Sequence, residues 1–153
     1  MKQRNNDLPS DLLHPFSEPQ EAYVQLRRTH DAIHRHVSKK LAKWDLSVPK
    51  YGVLVRLYDH KELSSSYLST QIFRGNSNMT TLINRMEKSG LVCRVNIDKD
   101  RRVRMIRLTP DGLRLARVVI KEYRAFQQEM MDCLSIKERS VLLRLLKKVE
   151  ASL

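Results

Sequence analysis

Cysteine is scarce in this chain of 153 residues, which holds two, Cys93 and Cys133. Two are too few for a disulfide framework, and their separation fits no metal-ligand spacing, so both are expected as free thiols in a reducing compartment. Long apolar runs are missing too. The longest stretch without Asp, Glu, Lys or Arg runs from Leu63 to Phe73, 11 residues, about half of the roughly 20 that a membrane-spanning helix needs. No membrane partner is expected. Met1-Lys2-Gln3-Arg4-Asn5 leads into Pro9, Asp11 and Pro15 rather than into an apolar segment, so no secretory leader is read and the cytoplasm is the expected location. Catalytic signatures are absent as well: there is no nucleophile elbow, phosphate loop, zinc motif or paired-carboxylate pattern. The chain reads as a non-enzyme that needs no cofactor.

Acid is in short supply, with 17 Asp and Glu against 29 Lys and Arg and a formal charge of +12. A field of that size draws polyanions and raises their encounter rate. The excess is uneven: residues 1–48 carry +2, residues 49–112 carry +6 and residues 113–153 carry +4. Between Arg85 and Arg107, eight basic side chains face only Glu87, Asp98 and Asp100. A charge run without further order is usually a solvated surface, so its organisation decides the matter.

Glycine and proline supply that organisation. Pro9, Pro15 and Pro19 mark residues 1–19 as an extended arm. From Gln20 to Val48 there is no Gly or Pro, and Leu26, His30, Ile33, Val37, Leu41 and Trp44 recur at helical steps. All four glycines lie between Gly52 and Gly112, where elements are short. Beyond Gly112, Leu113, Ala116, Ile120, Tyr123, Phe126, Met130 and Leu134 form a second stripe, and Leu142, Leu145, Val149 and Leu153 a third. Thr109-Pro110-Asp111 reads as an N-cap, a first-turn proline and a first-turn acid. Ser135 to Glu138 has capping-box spacing, which predicts a break near Leu134 and a separate last helix. Long stripes at both ends exceed what a small central unit can cover, so residues 20–47 and 110–153 are expected to form a helical dimerisation region interleaved with a second copy. An intramolecular bundle is the competing arrangement.

The middle, residues 48–109, reads as a DNA-binding unit. A short helix starts after Ser47 with Val53, Leu54 and Leu57 inward, and a second covers Ser64 to Phe73. Gly75 supplies a turn, and Asn76-Ser77-Asn78 can cap a third helix with Met79, Leu82, Ile83 and Met86 inward, ending at Gly90. Two short helices joined by a Gly-containing turn describe a helix-turn-helix. The outward face of the second holds Ser77, Asn78, Thr80, Thr81, Asn84, Arg85 and Lys88. Early side chains of that kind meet base edges in a major groove, and later ones reach phosphates. After Gly90 the period becomes 2. Leu91 to Val95 and Val103 to Leu108 read as two strands, with Asp98-Lys99-Asp100-Arg101-Arg102 as a charged tip. A hairpin directly after such a helix makes a winged helix whose wing offers arginine to the narrow minor groove, with Asp100 placed to orient Arg102. The fold class is mainly α with a small β-hairpin wing, an α+β winged helix.

Residues 77–92, followed by Asp100-Arg101-Arg102 and Leu108-Thr109-Pro110-Asp111-Gly112, resemble the MarR family of bacterial transcriptional regulators. Its usual pattern is a recognition helix ending in "LxxxGLVxR", a wing with "DxR" and a strand closing on "LTxxG". The resemblance implies a homodimer that binds double-stranded DNA at a pseudopalindromic operator, usually as a repressor released by a small aromatic effector. By position it makes Ser77, Asn78, Thr80 and Thr81 base readers, Arg85 a phosphate or base contact and Arg102 the minor-groove arginine. Thr81 stands where many members have Arg, and the wing carries an additional Lys99, so the operator sequence does not carry over.

In the family the ligand cleft is walled by the first, second and fifth helices. His30, His34, Tyr51, Val55 and Tyr58 are the positions here whose side chains suit a phenolic anion, against ordinary packing for each. A metal switch at His30, His34 and His36 lacks a completing set of ligands. A thiol-responsive regulator would use Cys133, near Lys137 and Arg139, rather than Cys93. The remaining alternative is a nonspecific architectural DNA binder, which the same charge and winged helix would serve.

Overall fold

The computed structural model describes residues 17–72, 79–97 and 100–153, without the side chains of 96, 97 and 100–103. The chain divides into two units, residues 1–40 and 41–153. In the first, helix α1 (Glu18–Leu41) starts with Gln20 Oε1 accepting from the Ser17 N–H at 3.0 Å. Glu18 and Glu21 sit in its first turn and Lys39 and Lys40 in its last, each sign at the pole it complements. Pro19 lies inside this helix. A proline costs nothing in a first turn, where its missing N–H has no helical partner, so residues 18 and 19 of the expected arm belong to α1, and residues 1–16 lie outside the described residues.

In the second unit the helical stripe through Trp44 outlasts the α-helix, because Ala42–Trp44 is a 3-10 turn closed by Asp45 at φ 54°. Ser47 then caps α2 (Val48–His60), its hydroxyl accepting from the Lys50 N–H, with Pro49 in the first turn. A three-residue strand β1 (Glu62–Ser64) precedes α3 (Ser65–Ile72). Three residues are too short to show alternation, which is why the sequence reading passes over β1. Helix α3 buries Leu68 and leaves Tyr67 42% exposed. Helix α4 (Met79–Lys88) ends in a turn at Gly90 with φ 70°, the left-handed position expected of it.

Strands β2 (Val92–Ile97) and β3 (Asp100–Leu108) form the antiparallel hairpin, and β1 joins it on the far side of β3 in the order β1-β3-β2. The strands reach further toward the tip than alternation shows, so Asp100, Arg101 and Arg102 belong to β3 by backbone. Arg107 Nε donates to Glu62 Oε2 at 2.6 Å, which ties β1 to β3. Helix α5 (Pro110–Met131) starts with the Thr109 cap, and α6 (Ile136–Glu150) with the Ser135/Glu138 capping box, both at the expected residues.

The core of this unit collects Val53, Leu54 and Leu57 from α2, Leu68 from α3, Met79, Ile83 and Met86 from α4, Val92 and Ile106 from the hairpin, and Ala116, Val119 and Ile120 from α5. Each large aliphatic fully buried there contributes about 1.5–3 kcal/mol. No residue of α6 is buried.

Candidate nucleic-acid interface

Helix α4 is fixed from below by Met79, Ile83 and Met86, all at most 3% exposed. With that face committed, Thr80, Thr81, Asn84, Arg85 and Lys88 are turned to solvent. The face carries hydroxyls, a carboxamide and cations and no exposed acid, since Glu87 is half-buried and engaged by Arg94. That set of groups matches acceptors and donors on base edges and phosphate oxygens. Ser77 and Asn78 lie outside the described residues, as does Lys99. The side chains of Asp100, Arg101 and Arg102 are outside them as well.

The C-terminal half of the helix is locked to the hairpin at two places. Arg94 of β2 pairs with Glu87 and donates to Asn84 Oδ1 at 2.6 Å, and its backbone N–H reaches Glu87 Oε1 at 3.3 Å. Just past the helix end, Thr109 donates its hydroxyl to the Gly90 carbonyl and accepts from the Gly112 N–H at 3.0 Å, while its own N–H bonds Leu91 O at 3.1 Å. One threonine therefore joins the end of α4, the end of β3 and the start of α5. Gly112 completes the joint: a Cβ there would stand 1.9 Å from Leu91 O, a backbone atom that cannot swing away. The Leu108 to Gly112 motif is thus a closely packed joint between the hairpin and α5.

Between α4, the start of α3 and the hairpin lies a groove of about 570 Å³, lined by Thr80, Asn84, Arg94, Arg104, Ile106 and Ser64 to Ser66. Among the described residues no acid pairs with Arg104. The sequence reading did not single out Arg94, Arg104 or these serines. Arg94 was legible as the arginine of "GLVxR", and period-2 spacing puts Arg94 on one face with Val92, but the serine cluster follows only from β1, which was unseen.

Of the five residues assigned to a ligand cleft, Tyr51 and Val55 come together. They line a pocket of about 350 Å³ with Gly52, Arg56, Ile120, Tyr123, Arg124 and Gln127. The rings of Tyr51 and Tyr123 are 4.4 Å apart. Burial, then the neighbouring Tyr123 hydroxyl, pushes the Tyr51 phenol up to about 12, and burial raises Tyr123 also. Both are neutral hydrogen-bond donors at physiological pH. Tyr58 is exposed and does not line this pocket. His30 and His34 stand in the first unit with ring centroids 6.2 Å apart, and His30 Nδ1 lies 3.3 Å from Asp31. Among the described residues no three His, Cys, Asp or Glu side chains are grouped to hold a metal ion. Cys93 is half-buried in β2; Cys133 is exposed after α5, its Sγ 3.7 Å from the Met130 carbonyl. No helix among the described residues is long and apolar enough to cross a membrane.

Residues 46–103, which hold α2 through most of the hairpin, match the family model described as MarR family. The chain is 29% identical over 139 residues to the HTH-type transcriptional regulator PecS of Dickeya dadantii, covering 89% of this chain and 84% of PecS. It is 30% identical over 110 residues to the HTH-type transcriptional regulator YsmB of Bacillus subtilis, covering 72% of this chain and 75% of that one. A crystal structure of a MarR-like transcription regulator from Bacillus cereus superposes with a TM-score of 0.79 at 28% identity, over 88% of this chain and 97% of the other.

Proposed function

The chain belongs to the MarR family of DNA-binding transcriptional regulators, and from that premise we propose that it acts as a homodimeric repressor of a pseudopalindromic operator in the cytoplasm, released by a small aromatic ligand. The observation that carries the reading is α4: its apolar side is sealed by its own chain, and its outer side offers Thr80, Thr81, Asn84 and Arg85 with no exposed acid among them. Helix α4 enters the major groove with Ser77, Asn78, Thr80 and Thr81 toward base edges. Lys99, Asp100, Arg101 and Arg102 are the wing's contribution at the adjacent minor groove.

Two further observations support the dimer and the ligand. Helix α6 presents Val141, Leu142, Leu143, Leu145, Leu146 and Val149 to solvent at 38–55% exposure. A patch of that kind on a charged chain marks an association surface, and a second copy with the same patch closes it around a twofold axis. The Tyr51/Tyr123 pocket has aromatic walls for a flat ring, two phenols that stay protonated to donate, and Arg56 and Arg124 to balance an anionic group. Its volume falls at the low end of small-molecule sites.

A genome-fragment binding selection at moderate salt tests the whole reading. The expected result is a twofold-symmetric motif with half-sites about one helical turn apart. Retention of fragments with no shared motif would overturn sequence-specific regulation in favour of architectural binding, whose affinity follows phosphate charge and salt alone.

A further inference from the structure

Arg94 sits on β2 but its partners are on α4. It is held between Glu87, which neutralises it, and Asn84, whose Oδ1 it meets at 2.6 Å. Its side chain is 24% exposed. A guanidinium has five N–H donors and no acceptor. The carboxamide that meets it must do so with its oxygen, so chemistry alone fixes which way Asn84 faces. The Nδ2 end, carrying two donors, is what remains for anything approaching α4 from outside.

We infer that Arg94 is a positioning residue that commits Asn84 to a donor-only contact with DNA. The inference rests on α4 being the reading helix. Asparagine recognises adenine by setting its oxygen and nitrogen side by side against N6 and N7 of one base. With the oxygen turned toward β2, that pairing is closed. Donation to a phosphate oxygen, or to an acceptor of guanine or thymine, stays open. The placement agrees: Asn84 lines the groove between α4 and the hairpin together with Thr80 and Arg104. A helix in the major groove and a wing in the minor groove have the sugar-phosphate strand between them, so a donor on this side of α4 is in reach of base-edge acceptors and of the phosphate oxygens that border them. Glu87 has a part in this, because it cancels the charge of Arg94 and leaves that residue as a brace while Arg104, with no described acid beside it, supplies the cation.

The test is a selection from randomised duplexes with the full-length protein and three variants, each checked for folding by circular dichroism. Wild type is expected to select a symmetric motif with no adenine preference that depends on Asn84. Arg94→Met frees the carboxamide to turn, and adenine becomes enriched about fivefold or more at one position per half-site. If that variant does not fold, Arg94→Met with Glu87→Gln, which leaves no unpaired acid beside the hairpin, is expected to show the same gain. Asn84→Asp replaces the outward donors by acceptors and lowers affinity about tenfold or more for every sequence. Identical base profiles in wild type and the Arg94 variants overturn the inference, and so does unchanged affinity of Asn84→Asp. A wild-type protein that selects no motif overturns the regulator reading itself, a different outcome from a motif the variants leave untouched.

Discussion

Helices α4 and α6 are both short and amphipathic and both belong to the second unit, yet the chain treats them in opposite ways. In α4 the apolar side chains Met79, Ile83 and Met86 vanish into the core, and what faces out is polar. In α6 nothing is buried, and leucines and valines face out between lysines and arginines. Helix α6 is nonetheless the better capped, with a reciprocal box at Ser135 and Glu138. A helix in water draws little stability from caps alone and most from a covered apolar face. The contrast teaches that α4 is finished by its own chain and turns a polar surface outward, whereas α6 is specified as a helix with an apolar face that its own described chain leaves uncovered.

Charging the apolar face of α6 breaks this contrast most severely. Leu142→Lys with Leu146→Lys puts two cations, one turn apart, where the proposed second copy packs. Sedimentation equilibrium is expected to show the mass of one chain in place of two. Operator affinity is expected to fall about 100-fold or more, since each half-site then binds without the avidity of the other. An unchanged mass of two chains would return α6 to an ordinary surface helix and move the association to another part of the chain.

The same test on α4 works through stability. Ile83 is fully buried, and Ile83→Ala is expected to cost about 2–5 kcal/mol from lost burial and the cavity left behind. At this chain length that lowers the melting temperature by roughly 2–4 °C per kcal/mol. On the outer side, Thr81→Ala is expected to leave melting unchanged while altering which base is preferred at one half-site position, with about 1–3 kcal/mol at stake. A uniform loss over all sequences would make Thr81 a backbone contact. The two substitutions, two residues apart, separate the structural face of α4 from the reading face.

Periodicity made most of this legible in the chain. The α4 and α5 stripes, the Ser47, Thr109 and Ser135 caps and the left-handed Gly90 all fall where spacing and side-chain chemistry put them. Position-independent signals failed where elements are short or where the local preference is two-sided. Pro19 reads equally well as arm or first turn, and β1 has too few residues for alternation. The pairing of Arg94 with Asn84 spans 10 positions, and the meeting of Tyr51 with Tyr123 spans far more. Such pairs depend on how elements pack, which spacing within one element does not encode. Gly112 shows the opposite case: the motif quoted the residue, and only the 1.9 Å approach to Leu91 O explains why a side chain is excluded there.

The finest probe of the contrast is the cap of α6. The Ser135 hydroxyl accepts from the Glu138 N–H at 3.3 Å, and Glu138 Oε2 accepts from the Ser135 N–H at 2.8 Å. Ser135→Ala is expected to cost about 0.5–2 kcal/mol of helix stability, the usual range for a lost N-cap. Where that cost appears tells what covers α6. If α6 packs on a second copy, its fraying opens the interface, so the variant's deficit in melting temperature grows as the protein is diluted and monomer is favoured by mass action. If α6 stands alone, the end frays locally and the global melt is the same at every concentration. Acid gives a second check. The bonds from the Ser135 hydroxyl and N–H hold the Glu138 carboxyl below its ordinary value. A folded-state value that is lowered means a contribution present above the unfolded carboxylate range and lost as pH falls through the lowered value. The difference between wild type and Ser135→Ala is therefore expected to narrow on acidification, and a difference that held constant with pH would assign the effect to the hydroxyl alone.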